Sequence, residues 1–170
     1  MRGGFPYEQF HPAVDEPEVA LPDMALGEHV VEDYASLSLS LKCHPLALLR
    51  EGLERTGILP TSRLAEVRHG TRMSVAGLVL VRQRPGSASG VVFITLEDEY
   101  GVANLIVVPP VFERFRKVIL TARLIAATGR VERQGEVIHL LVDHLTDQTP
   151  RLRELTAEVA RVFPDGRNFR

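Results

Sequence analysis

Met73-Ser-Val-Ala-Gly77-Leu-Val-Leu-Val-Arg82-Gln-Arg84 is the stretch on which the fold turns. It is rich in β-branched and apolar residues over a length greater than that of an ordinary strand. Gly77 interrupts it where a bulge or sharp bend is expected. A polar loop with two glycines, Pro85 to Gly90, follows. A second strand, Val91 to Leu96, comes next, and Glu97-Asp-Glu-Tyr-Gly101 turns the chain into a third, Val102 to Val108. Pro109 and Pro110 stop that strand and open a short helix with the apolar stripe Val111, Phe112, Phe115, Val118 and Ile119. A fourth strand, Ala122 to Arg133, contains Gly129, and Gln134-Gly135 turns it into a fifth, Glu136 to Leu145.

Three strands, a helix and two strands is the element order of the OB-fold. A long first strand bent at a glycine suits a small barrel, because one strand must serve both halves of the closed sheet. The fold class expected is therefore mainly β with flanking helices: a five-stranded OB-fold barrel over residues 70–146, with a helix between strands 3 and 4. Upstream, residues 1–22 carry four prolines among acidic and small residues and read as an extended arm or linker. Residues 23–69 read as a helical segment, with helices near Gly27–Leu37 and Pro45–Arg55. The second has Leu46, Leu49 and Leu53 at helical spacing and Gly57 where a stop is wanted. Residues 147–170 supply an amphipathic helix, Leu152 to Phe163, and a polar tail.

The formal net charge of −2 conceals an asymmetry. Residues 1–60 hold 4 basic and 10 acidic side chains, residues 61–134 hold 11 and 6, and residues 135–170 hold 5 and 6. A basic module inside an acidic chain is the pattern of a surface that meets a polyanion, and equally of an Arg-rich solvated surface. No apolar run has membrane-spanning length and no signal sequence opens the chain, so no membrane partner is expected. The single cysteine, Cys43, excludes an intramolecular disulfide and suits a cytoplasmic location.

The run Val75-Ala-Gly-Leu-Val-Leu-Val-Arg-Gln-Arg-Pro-Gly-Ser-Ala-Ser-Gly90-Val-Val-Phe-Ile-Thr-Leu-Glu-Asp-Glu-Tyr-Gly-Val-Ala-Asn-Leu-Ile-Val107 closely resembles the OB domain of bacterial C-family DNA polymerases. It is most similar to the error-prone DnaE-type branch (ImuC) of translesion synthesis. Leu37-Ser-Leu-Ser-Leu-Lys-Cys-His-Pro-Leu46 resembles the segment preceding that domain, and Gly166-Arg-Asn-Phe-Arg170 the extreme C-terminus of the error-prone branch. The similarity extends over about residues 21–170. In that family the catalytic, metal-binding aspartates lie in a palm domain far upstream, and no such region occurs here. The resemblance thus implies a polymerase fragment that binds nucleic acid, is non-catalytic by itself and needs no cofactor. The implied partner is single-stranded DNA or a primer-template.

Five side chains are candidates for that binding. Arg82 and Arg84, two apart at the end of the first strand, share a face and lead into the Gly86–Gly90 loop, so they either contact phosphate or form a solvated strand end. Arg130 and Arg133 flank the turn between the last two strands in the same manner. Phe93 alternates with Ile94 and is either free to stack on a base or buried in a strand covered on both faces. Glu97, Asp98 and Glu99 read as a solvated turn, since adjacent carboxylates scatter and no fourth ligand lies nearby. Cys43-His44, His139 and His144 lack partners at zinc-ligating spacing, so no metal site is expected. Two other binding functions stay open. Phe93-Ile-Thr-Leu-Glu-Asp98 also resembles the anticodon-binding barrel of class II tRNA synthetases. The acidic arm and last helix could instead make the chain a protein-interaction module docking accessory mutasome proteins.

Overall fold

The computed structural model describes residues 43–162. The proline-rich arm, the helix expected near residues 27–37 and the C-terminal tail lie outside the described residues.

Helix α1 (Pro45–Arg55) starts where its sequence says it should. The His44 imidazole accepts the Leu46 N–H through Nδ1 at 3.2 Å, and Pro45 occupies the first turn. Gly57, at φ +78°, lets the chain reverse after the helix. A two-residue strand, β1 (Ile58–Leu59), and a 3-10 turn (Thr61–Ala65) lead to the barrel. Its strands are β2 (Arg72–Gln83), β3 (Val92–Asp98), β4 (Gly101–Val107), β5 (Leu124–Gln134) and β6 (Val137–Asp147). Helix α2 (Pro109–Thr121) lies between β4 and β5, and helix α3 (Thr149–Val162) follows β6.

The sheet order is β1-β2-β3-β4-β6-β5, and β5 pairs back onto β2, which closes a five-stranded OB-fold barrel. Strand β2 does bend to serve both halves. It pairs with β5 through Arg72–Leu78 and with β3 through Leu78–Gln83. Gly77 stands at this handover, where a Cβ would lie 2.8 Å from the Glu97 carbonyl oxygen and from the Leu96 Cβ. The register break itself falls slightly later, between Val79 and Val81. Gly129 has the same role in β5. A Cβ there would lie 2.1 Å from the Leu141 carbonyl oxygen, beside the break at Thr128.

The barrel interior is filled by alternate residues of each strand, among them Val75, Ile94, Leu96, Leu105, Ile125, Val131 and Leu140, with Phe112 and Ile119 of α2 closing one end. A second apolar cluster sits outside the barrel wall. There Ala76, Leu124 and Ala126 of β2 and β5 are covered by Leu46 and Leu53 of α1, Ile58, and Leu152 of α3. Leu64 also joins the interior. The packing therefore runs across the expected boundaries at residues 70 and 146, because helices and barrel share a core. No helix among the described residues is long and apolar enough to cross a membrane.

The β3–β4 turn corrects one expectation. Asp98 is buried, 3% exposed, and Glu99 is largely so. Asp98 accepts hydrogen bonds from the Thr61 N–H and hydroxyl at 2.7 and 2.6 Å, from the Tyr100 and Gly101 N–H groups, and from Arg50 Nη2 at 3.0 Å. Arg50 also donates to both oxygens of Glu99, at 2.6 and 2.8 Å. These bonds hold the Arg50 guanidinium above its ordinary pKa, the Glu99 contact first, against the opposing effect of burial. Asp98 and Glu99 thus form a latch that ties α1 to the barrel. Only Glu97 keeps the solvated character read from the sequence, 3.9 Å from the His44 ring.

Candidate nucleic-acid interface

Helices α1 and α3 cover the β2–β5 side and Phe115 of α2 meets His144 late in β6, so the candidate face is the outer side of β3, β4 and the first half of β6. Cross-strand partners share a face, so the register identifies which side chains stand there. Phe93 lies beside Gln83 on one side and Ile106 on the other. Ile106 lies beside Leu141, Leu141 beside Arg130, and Arg130 beside Arg72. One transverse row therefore reads Gln83, Phe93, Ile106, Leu141, Arg130, Arg72. At about 4.8 Å per strand, Phe93 and Arg130 are roughly 14 Å apart along it. Ile106 is fully buried at the floor of the row while Phe93 and Leu141 are half-buried, which makes an apolar shelf with cations at one end.

A neighbouring row holds Thr95, Asn104, His139 and Glu132. The Thr95 hydroxyl donates to the Asn104 side-chain oxygen at 3.2 Å. Burial pushes the His139 imidazole below its ordinary pKa, so near neutral pH the ring is uncharged. The shelf is thus flanked by neutral hydrogen-bonding groups suited to base edges rather than by carboxylates alone.

The five sequence candidates have different surroundings. Phe93 is on the outer face, opposite the core residues Val92 and Ile94, and Arg130 is exposed in the same row, with one bond from Nη1 to the Gly70 carbonyl at 3.2 Å. Arg82 and Arg84 do project together, but toward α2. Arg82 Nε donates to the Ile119 carbonyl at 2.5 Å and Nη2 to the Ala122 carbonyl. It thereby satisfies carbonyls exposed at the C-terminal end of α2, where a cation also complements the helix dipole. Burial in this position lowers its pKa. Arg84 lies with its guanidinium 5.4 Å from the centre of the Phe112 ring. Arg133 donates to the carbonyls of Leu64, Ala65 and Val67, at 2.6 to 3.1 Å, and so clamps the end of the 3-10 turn. Arg82 and Arg133 are therefore bound to main chain within the fold.

Sequence reading passed over Arg72, Ile106 and Leu141. Arg72 forms a two-pronged pair with Asp143, at 2.7 and 3.2 Å. The alternation of Val102, Asn104 and Ile106 with core residues carried the signal for the shelf, but pairing between β4 and β6 was needed to assemble it.

Residues 73–147 match the family described as OB-fold nucleic acid binding domain. The Error-prone DNA polymerase 1 of Rhizobium meliloti is 51% identical over 146 residues, which is 86% of this chain and 13% of the polymerase. The Error-prone DNA polymerase of Ruegeria pomeroyi is 47% identical over 160 residues, 91% of this chain and 14% of the polymerase. The chain thus spans about an eighth of the length of these curated relatives. Among solved structures, asparaginyl-tRNA synthetase from Pyrococcus horikoshii aligns with 46% of this chain and 20% of its own, at a TM-score of 0.40 and 22% identity.

Proposed function

Since the chain is a homologue of one segment of the error-prone DNA polymerases, and residues 73–147 belong to the OB-fold nucleic acid binding domains, we propose that it holds single-stranded DNA for a translesion polymerase. The observation that carries this reading is the row from Phe93 to Arg130 on the outer face of the barrel. Bases stack on Phe93 and against Leu141, and phosphates reach Arg130 and Arg72. On this reading the chain contributes binding and not catalysis, so the pure protein is expected not to extend a primer with any divalent metal. Metal-dependent extension would overturn that part.

The binding test is fluorescence anisotropy with labelled oligo-dT. A stacked base contributes about 1–3 kcal/mol, so Phe93→Ala is expected to weaken binding roughly 5- to 150-fold. Arg130→Ala is expected to flatten the salt dependence by about 0.7 per lost phosphate contact. Wild-type affinity in both variants would sink the reading. Preference for tRNA over oligo-dT would move the function to RNA, and a partner protein held at high salt without DNA would move it to protein docking.

A further inference from the structure

We propose that Arg84, just after β2, and Arg114, Arg116 and Lys117 of α2 make a second phosphate-binding surface, which the sugar-phosphate backbone reaches from the sheet round the end of the barrel. The inference rests on the nucleic-acid reading but assigns different residues.

The first observation is the state of the cations. Seven arginines outside this group have partners among the described residues, while Arg68, Arg123, Arg151 and Arg153, like Arg84, Arg114 and Lys117, have no carboxylate within ion-pair distance there. Arg50, Arg55, Arg63 and Arg72 meet carboxylates, and Arg82, Arg130 and Arg133 meet carbonyls. On α2 this compensation is missing. Among the described residues Arg84, Arg114 and Lys117 have no carboxylate within ion-pair distance, and Arg116 has only Glu113, at 3.9 Å in solvent. Cations gathered without counter-charge raise the local potential for a polyanion.

The second observation is that the three arginines are held in place. Arg84 and Arg116 both lie over the ring of Phe112, at 5.4 and 5.8 Å from its centre, and Phe112 is itself 2% exposed in the core. Arg114 lies 5.8 Å from the centre of the Phe115 ring, and that ring is fixed edge-on against His144 at 5.0 Å. Stacked guanidinia lose less freedom on meeting a phosphate than free side chains do, and their planar forks suit its oxygens.

The third is proximity to the end of the barrel that holds Phe93. Arg84 follows Gln83, the neighbour of Phe93, and projects from the opposite face of the strand toward α2. A Cβ on Gly90 would lie 3.3 Å from both Arg84 Nη2 and Pro109 Cγ. The β2–β3 loop, Arg84 and the start of α2 therefore meet at the end of the barrel where Phe93 stands. A strand stacked on Phe93 reaches this basic surface by passing round that end of the barrel.

The test uses the full chain and two oligo-dT probes of about 8 and about 20 nucleotides, bracketing the ~4–16 nucleotides an OB-fold covers. Arg114 and Arg116 are exposed, so Arg114→Ala with Arg116→Ala is expected to fold, which a thermal melt checks. The double variant is expected to bind the long probe several-fold more weakly, with a log–log salt slope flatter by about 1.4, and the short probe as wild type. Arg84→Ala is expected to act in the same direction. Arg151→Ala with Arg153→Ala, on α3, is the charge-matched control and is expected to leave both probes unchanged. An unaltered long-probe slope in the α2 variant would overturn the inference while a Phe93→Ala loss kept the parent reading. Equal losses from the α2 and α3 pairs would overturn it too, by showing diffuse attraction. If wild-type protein bound neither probe, the parent reading itself would fail.

Discussion

Replacing Asp98 removes the acceptor on which two parts of the molecule converge. Its carboxylate receives two donors from Thr61, one each from Tyr100 and Gly101, and one from Arg50. Asp98→Ala leaves the Thr61 N–H buried without its acceptor and strips one counter-charge from Arg50, itself 8% exposed. Removing one member of a buried ion pair costs about 3–5 kcal/mol. The lower end applies here, because Glu99 still grips Arg50 through two bonds. For a unit of this size about 3 kcal/mol corresponds to a fall in Tm of roughly 12 °C. Asp98→Asn keeps the shape but turns an amide NH2 toward groups that are already donors, and roughly 2 kcal/mol is expected from the bonds it spoils. Urea unfolding followed by far-ultraviolet circular dichroism measures both. A loss below about 1 kcal/mol in Asp98→Ala would refute the latch and return the β3–β4 turn to the solvated state its sequence suggests.

Three further outcomes are expected. Arg82→Ala should lower stability by about 2–3 kcal/mol by baring the Ile119 and Ala122 carbonyls, while the salt slope of oligo-dT binding stays at the wild-type value; a flattened slope at unchanged stability would make Arg82 a phosphate ligand after all. Gly77→Ala should cost about 1–3 kcal/mol by overpacking against Glu97 and Leu96, whereas Gly86→Ala, with nothing within 4 Å of the new methyl, should stay within about 0.5 kcal/mol in the same urea titration. His139 titrates below its ordinary 6.5 in the folded state because it is buried. The unfolded chain therefore takes up the proton first, so this contribution is complete above pH 6.5 and is lost as pH falls through the lower folded-state value. Denaturant melts of wild type and His139→Gln across that range should differ in slope, and parallel curves would show that His139 is not the group responsible.

The sequence by itself determined the barrel. Alternation in Val92–Asp98, the strand stop and helix start at Pro109-Pro110 and the glycines inside two long strands are local signals, and the pairing of β2 with both β3 and β5 follows from them. It also determined that Phe93 stands opposite Ile94, since a strand fixes the two faces at each residue. What each arginine does was decided only by the tertiary structure. Arg82, Arg84, Arg130 and Arg133 look alike in the sequence because a long cation reads as solvated wherever it stands. Their partners are the end of α2, the ring of Phe112, the Gly70 carbonyl and the end of the 3-10 turn, at sequence separations of 28 to 69 residues that no local pattern encodes. Asp98 and Glu99 escaped for the same reason. The turn that holds them is ordinary, and burial came from Arg50, 48 residues away, which supplies the opposite charge that makes a buried carboxylate stable.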